Sequence, residues 1–337
     1  MKIAIHYNNH KYSFCHKWID YCQLNNIDYK LVNAYDTDII SQLNDCDVFL
    51  WHFFQTDYRD MLFAKQLLYS LQVCGKKVFP DFNTGWHFDD KVGQKYLLEA
   101  IDAPLVSSDV FYKKEEAFDW INQTSFPKVF KLRGGAGAVN VHLVKSKKQA
   151  FTLVHKAFKK GFKAFNRWGN FKDKIQKYRI GNENLLGIAK GFARLVLPTT
   201  FGKMYHNEKG YVYFQEFLPN NDYDIRLIVI GNKAYGMKRR VRKDDFRASG
   251  SSDFIYDEIP KSVLQIGFDV SKRLNLQSVA FDFIFKNGKP LIIELSCFFG
   301  SKGSSKCKGY WDDECVWHEG PFEPMYWQIE NLIFKDK

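Results

Sequence analysis

Phe281-Asp282-Phe283-Ile284-Phe285-Lys286-Asn287-Gly288-Lys289-Pro290-Leu291-Ile292-Ile293-Glu294-Leu295-Ser296 holds two apolar runs, each with one acid, around an Asn-Gly turn. Asn-Gly between apolar runs is the strongest short hairpin signal. Register then determines what the acids do. A two-residue loop pairs Asp282 with Ile293 and puts the acids on opposite faces. A three-residue loop, Asn287 to Lys289, pairs Asp282 with Glu294. Two charges among Phe and Ile are costly unless something neutralises them. A hard divalent cation would do so, because Mg²⁺ takes carboxylate oxygens together with nucleotide phosphates. The plainer reading leaves both acids on a solvated face.

Upstream, the strand-like run 129–132, which contains Lys131, passes through Arg133 into Gly134-Gly135-Ala136-Gly137. Such a loop presents backbone N–H groups to phosphate oxygens, with lysine adding a point charge. It is neither GxxxxGK[ST] nor GxGxxG. Between loop and hairpin, Gln215-Glu216-Phe217-Leu218 ends a strand, Asp224-Ile225-Arg226 starts another, and Met237-Lys238-Arg239-Arg240 and Phe246-Arg247-Ala248-Ser249 follow. This concentrates guanidinium groups suited to carboxylate and phosphate oxygens in one β-rich region. A solvated basic strand edge is the bland alternative.

The N-terminal part alternates strand-like runs at 2–7, 29–32, 47–52 and 78–79 with helical runs at 14–24 and 60–73, which predicts a parallel α/β layer. His52, Phe53 and Phe54 close a strand at the end where such sheets place ligands. Asp89-Asp90-Lys91 opens a helix over 92–101, and a basic helical stretch covers 148–179. The 337 residues are enough for about two domains. With 45% hydrophobic and 26% charged residues, disorder is excluded as the main theme. No apolar run is long enough to span a membrane, and the polar turn at Asn8-Asn9-His10-Lys11 ends the first one too early for a signal peptide. Seven cysteines without a CxxC pair read as reduced thiols in a cytoplasmic protein. A net charge of +11 favours polyanionic partners.

Taken in order, these motifs resemble the ATP-grasp superfamily, and within it the RimK-type carboxylate–amine ligases, over roughly residues 75 to 300. The resemblance implies an α/β (α+β) chain with an N-terminal α/β pre-ATP-grasp domain at 1–100. A central subdomain with the glycine-rich loop follows at 101–210, and a C-terminal subdomain with adenine hinge and metal site at 211–337. It implies that Lys91 and Lys131 contact ATP phosphates under a loop containing Gly134, Gly135 and Gly137. Glu216, Phe217 and Leu218 would line the adenine, Asp224 would lie near the ribose, and Arg247, Ala248 and Ser249 near the triphosphate. Asp282, Glu294 and Ser296 would hold one or two Mg²⁺ ions, with Mn²⁺ as a substitute. Ser296 stands where the family usually has Asn, and the glycine loop lacks the usual polar tip residues.

The activity implied is an ATP-dependent ligase that forms an amide through an acyl phosphate. Arg226, Arg240 and Arg247 would be catalytic, neutralising the triphosphate and orienting an anionic acceptor. Partners would be a small-molecule or sugar-linked carboxylate (a uronic acid, amino acid or peptide, in polysaccharide or peptide biosynthesis) and an amine, with a second copy of the chain in a homodimer. Alternatives are a kinase of the same fold, a degenerate inactive relative, and a basic nucleic-acid-binding protein. No nucleic-acid motif appears, and a buried acidic pair would repel a phosphate backbone. Cys297, Cys307, Cys315 and His318 fit no common zinc spacing. The rings and polar groups of 309–320 suit a substrate-facing loop or a packed cap. The basic run Lys159, Lys160, Lys163, Arg167, Lys172, Lys174, Lys177 and Arg179 reads as a solvated face or as a guide for an acidic polymer.

Overall fold

The parallel layer expected at the N-terminus is present. β1 (Lys2–His6), β2 (Asp28–Val32), β3 (Val48–Leu50) and β4 (Lys77–Phe79) pair in the order β2-β1-β3-β4, all parallel. The computed structural model describes residues 1–135, 140–163, 171, 175, 178, 184–196, 204, 207–242, 245–250, 253–300 and 303–334. Ile3-Ala4-Ile5 and Val48-Phe49-Leu50 are continuous apolar runs because these central strands are covered on both faces. α1 (Cys15–Leu24), α2 (Ile39–Gln42) and α3 (Tyr58–Val73) connect the strands. α1 turns Cys15, Trp18, Tyr21 and Cys22 inward, the three-and-four spacing of a helix with one buried stripe.

After α4 (Phe82–Gly85), α5 (Lys91–Ala100) starts at Asp90, whose carboxylate accepts the Gly93 N–H at 2.9 Å. A small antiparallel sheet follows, β5-β8-β6-β7, from β5 (Ser108–Phe111), β6 (Lys128–Lys131), β7 (His142–Val144) and β8 (Val212–Glu216). α6 (Lys114–Gln123) and α7 (Lys147–Lys159) cover it around Ile121, Val154 and Phe214. α8 (Leu185–Val196) lies between α7 and β8. Of the basic run, Lys159, Lys160 and Lys163 are exposed. Arg167, Lys172, Lys174, Lys177 and Arg179 lie outside the described residues.

The third sheet has seven antiparallel strands. They are β9 (Tyr223–Ile230), β10 (Lys233–Arg240), β11 (Phe254–Ile255), β12 (Ser278–Lys286), β13 (Lys289–Ser296), β14 (Gly309–Asp312) and β15 (Trp317–Glu319). The order is β13-β12-β9-β10-β14-β15, with β11 also against β10. α9 (Lys261–Arg273) packs on one face, where Gly267 allows close approach: a Cβ there would meet Leu227 Cδ2 at 2.4 Å. α10 (Pro324–Phe334) joins the other face to the parallel sheet through one core containing Trp18, Ile228, Tyr235, Phe298 and Trp327. Trp18 Nε1 donates to Gln328 Oε1 at 3.0 Å inside that core, so the buried indole keeps a partner.

The 309–320 segment is thus a sheet-edge hairpin rather than a free loop. His318 Nε2 meets Asp312 Oδ2 at 2.7 Å, and Cys297 is buried away from it. Among the described residues, no cluster of His, Cys, Asp and Glu could hold a zinc ion.

Candidate active site

The β12–β13 hairpin resolves the register question in a third way. Asn287 and Gly288 have φ of +52° and +77°, as a primed two-residue turn requires, and Lys286 pairs with Lys289. The two-residue register holds as far as Phe283 opposite Ile292, where a β-bulge shifts the pairing. Ile293 is the extra residue, and Asp282 therefore faces Glu294. Both acids line one cavity of about 930 Å³. Gln94 of α5 pins the strand beside them, accepting the Leu295 N–H at 3.0 Å and donating to the Leu295 carbonyl at 2.8 Å.

Asp282 already has counter-charges. Arg226 grips it with both arms, Nε to Oδ1 at 2.8 Å and Nη2 to Oδ2 at 2.9 Å. Arg239 Nη2 reaches Oδ2 at 2.9 Å while also clasping Asp224 at 2.7 and 2.5 Å. Burial would raise the Asp282 carboxyl, but the two guanidiniums hold it well below the usual carboxylate range. Asp224, buried with Arg239 as its main partner, is raised instead. Neutralisation of buried Asp282 thus comes from arginine, beside which a divalent cation is not needed for that charge alone. Arg240 is a correction to the expected set. It follows Arg239 on β10, so strand alternation turns it outward, where its side chain is 62% exposed and 3.8 Å from Asp253. Arg239 is the arginine that lines the cavity.

Lys91 and Lys131 converge on Glu294 from two other elements. Lys91 Nζ lies 3.3 Å from Glu294 Oε1 and donates to the Gly135 carbonyl at 2.9 Å. Lys131, at the end of β6, donates to Gln215 Oε1 at 2.6 Å. Asp89, expected only to open a helix, accepts the Gly135 N–H at 2.8 Å, and Asp90 accepts from Arg133 Nη1 at 3.0 Å. Asp89-Asp90-Lys91 therefore ties the root of the glycine loop to the start of α5. Gly134 sits on this tie, its absent Cβ 3.2 Å from Asp89 Oδ2, and does not itself line the cavity. Gly137 lies outside the described residues.

The remaining expected residues sit along the same wall. Phe217, Leu218 and Glu216 line it where the small sheet passes into the large one, although the Glu216 carboxylate turns to Lys286 at 2.9 Å. Ala248, Ser249 and Arg247 line it opposite, with Arg247 clasped by Asp245 at 2.6 Å. Ser296 lines it too, its hydroxyl donating to the Phe298 carbonyl. At the N-terminal sheet, His52 and Phe54 face the cavity, whereas Phe53 is fully buried in the core.

No family model matches the chain, and no curated protein matches it. Solved structures do match along most of its length. A RimK-domain ATP-grasp protein from Sphaerobacter thermophilus superposes with a TM-score of 0.54 at 14% identity, covering 88% of this chain and 90% of that one. D-alanine–D-alanine ligase from Bacillus anthracis gives 0.55 at 15%, covering 89% and 88%. N5-carboxyaminoimidazole ribonucleotide synthetase from Thermotoga maritima gives 0.59 at 15%, covering 98% and 75%. The chain has the ATP-grasp fold.

In this chain the environment of Lys131 acts strongly on its charge. Burial pulls its ammonium down to about 8, with Lys91 adding to the effect and Glu294 opposing it. An unfolded lysine keeps its proton to about pH 10.4. Between those values the unfolded chain binds more protons, so Lys131 makes stability rise with pH, the reverse of a paired lysine. The unfolding free energy of the native protein minus that of Lys131→Met should therefore increase from pH 7.5 to 10, by on the order of 2–3 kcal/mol. Urea titrations across that range check it, and a difference flat with pH would contradict it.

Proposed function

We propose that the protein is an ATP- and Mg²⁺-dependent carboxylate–amine ligase. What carries the reading is the convergence of Lys91, Lys131, Asp282 and Glu294 at one end of a cavity whose wall includes the 216–218 hinge. The substrate carboxylate attacks the γ-phosphorus and ADP leaves. An amine then attacks the acyl carbon of the resulting acyl phosphate, inorganic phosphate leaves, and an amide remains. Positioning and charge neutralisation supply the rate, and no protein nucleophile is needed. Lys91, Lys131 and the 134–137 loop would hold phosphates, 216–218 the adenine, and Asp224 the ribose side. Arg226, Arg247 and, in place of Arg240, Arg239 would steady charge around the transferred group. The ligase activity named for the Bacillus anthracis protein supports this reading.

Glu294, with Ser296 and Asp282 beside it, would hold a magnesium ion shared with phosphates. Glu294 is one-third exposed to the cavity with Lys91 as its ion-pair partner, whereas both oxygens of Asp282 are engaged by arginine. So lean a protein donor set suits Mg²⁺, which keeps waters and completes its shell with nucleotide oxygens. Bound there by Glu294 and Ser296, one or two such ions, with Mn²⁺ as a substitute, would neutralise phosphate charge. The carboxylate substrate is a uronic acid, an amino acid or a peptide, in polysaccharide or peptide biosynthesis.

ATP with Mg²⁺ at about 100 times its dissociation constant should add about 2.7 kcal/mol of stability. The melting temperature should rise accordingly, and Lys131→Ala should blunt the rise. With a carboxylate panel and hydroxylamine, ADP and free phosphate should appear together with a hydroxamate. An unchanged melting curve in millimolar ATP and Mg²⁺ would refute the nucleotide site. A stable phosphoester without free phosphate would make the enzyme a kinase.

A further inference from the structure

The far end of the cavity, at the carboxyl ends of the parallel strands, is built differently from the phosphate end. His52, just beyond β3, is almost fully buried, and its ring lies between two others, stacked on Phe54 at 4.3 Å and on Phe298 at 4.4 Å. Its Nδ1 accepts the Phe14 N–H at 2.9 Å, which fixes the proton of the neutral ring on Nε2. Burial, with His10 nearby, holds the ring at about 3, so it stays neutral. Nε2–H has no partner among the described residues, and His52 lines the cavity. His10 repeats the device. Its Nδ1 accepts the Tyr12 N–H at 3.3 Å and its ring packs 4.8 Å from Phe54. Gln55 lines the same end, and its amide makes no hydrogen bond among the described residues.

His10, Tyr12, His52, Phe54, Gln55 and Phe298 thus offer rings and hydrogen-bonding groups with no carboxylate among them, and the Lys11 ammonium lies 4.7 Å over the Tyr12 ring at their edge. An amino acid placed here would leave its ammonium without a counter-charge, which is costly out of water. A purely aromatic acid would pack on the rings but leave the His52 and His10 donors and the Gln55 amide desolvated and unpaired. A saturated ring bearing hydroxyls meets both demands. Its C–H face packs on the rings, and its oxygens take the N–H groups. Phe298 is two residues beyond Ser296, whose hydroxyl donates to the Phe298 carbonyl. The annex therefore adjoins the strand that carries Glu294, which puts a carboxylate borne on such a ring beside the phosphate end.

We propose that this annex binds the sugar ring of a uronic acid, which is the carboxylate substrate. The inference rests on the ligase reading for the fate of that carboxylate, but its binding can be measured separately. Calorimetry on the full chain, with and without Mg²⁺ and a non-hydrolysable ATP analogue, would use D-glucuronate and D-galacturonate as probes. Phenylacetate and D-alanine are the comparators. At least one uronate should bind at least tenfold more tightly than either comparator. His10→Phe, at an exposed position whose loss spares the core, should weaken the uronate by up to about tenfold, the worth of one neutral hydrogen bond. Gln55→Leu should act likewise, and both variants should keep the full ATP-induced melting shift. Tighter binding of phenylacetate or D-alanine overturns the proposal, as does failure of both uronates while ATP still raises the melting temperature. Uronate binding without any ATP shift would keep the annex and remove the ligase reading.

Discussion

Arg239→Met is expected to lower the unfolding free energy by about 3–5 kcal/mol, the usual result of deleting one partner from a buried ion pair. The residue is only 5% exposed and is the link in a chain of four charges, Asp224, Arg239, Asp282 and Arg226. Without it, Asp282 keeps Arg226, but Asp224 is left buried with its main counter-charge gone. Against a total stability of about 5–15 kcal/mol, that is a large fraction. The loss should also depend on pH in a definite sense. Asp224 has a raised carboxyl pKa even with Arg239 present, and more so without it. A raised carboxyl contributes stability below its unfolded pKa and loses it as pH rises through the folded value, so the variant should recover as pH falls toward 5. Adding Asp224→Leu should restore most of the loss, because an apolar pair of similar volume replaces a buried ionic one at little cost. Urea unfolding at pH 5 and 7.5 provides the readout. A single-variant loss under about 1 kcal/mol would show that the ion chain is better solvated than its burial implies.

The same chain of charges shows what could be read from sequence and what could not. Asp282 and Lys131 stand out in the sequence because each is a charge beside apolar residues, retained only where something pairs with it, whereas Lys91, which follows two aspartates, is singled out by the resemblance alone. Arg239 was legible in principle. Ile230 pairs with Lys233 across the Gly231-Asn232 turn, and counting back from that turn sets Asp224 opposite Arg239 and turns Arg240 away. Arg240 and Arg239 differ by one residue, and in a strand that parity alone separates the outward side chain from the inward one. The bulge at Ile293 was not legible, since its side chain is an ordinary β-former and nothing in composition marks an inserted residue. Nor were the supports from afar. Gln94 holds Leu295 across 201 positions, and Asp89 holds Gly135 across 46. Such pairings are made by the fold and leave no local period. The acid-free aromatic annex shares that origin, because residues near 10, 52 and 298 meet only when the parallel sheet docks on the large one.

Glu294→Gln should reduce phosphate release by on the order of 10²- to 10³-fold while the protein stays folded, on the ligase reading. Both parts follow from where Glu294 sits. It is one-third exposed and has Lys91 as its ion-pair partner at 3.3 Å, so the amide can occupy the same volume and still accept from Lys91. What the amide cannot supply is the negative charge that would hold a cation against the phosphates. Asp282→Asn is a poorer test, although the same metal reading would propose it. Its carboxylate is clasped by Arg226 and Arg239, so removing that charge should destabilise the fold and confuse lost activity with lost protein. The melting temperature without ligand separates the two variants, with Glu294→Gln close to the native protein and Asp282→Asn several degrees lower. Titrating Mg²⁺ then locates the defect. A metal ligand should show a raised Mg²⁺ requirement, whereas a residue that only positions Lys91 should show a raised requirement for ATP at saturating Mg²⁺. Near-native turnover by Glu294→Gln at low Mg²⁺ would remove β13 from the metal site and leave the Lys91–Glu294 pair as a structural contact.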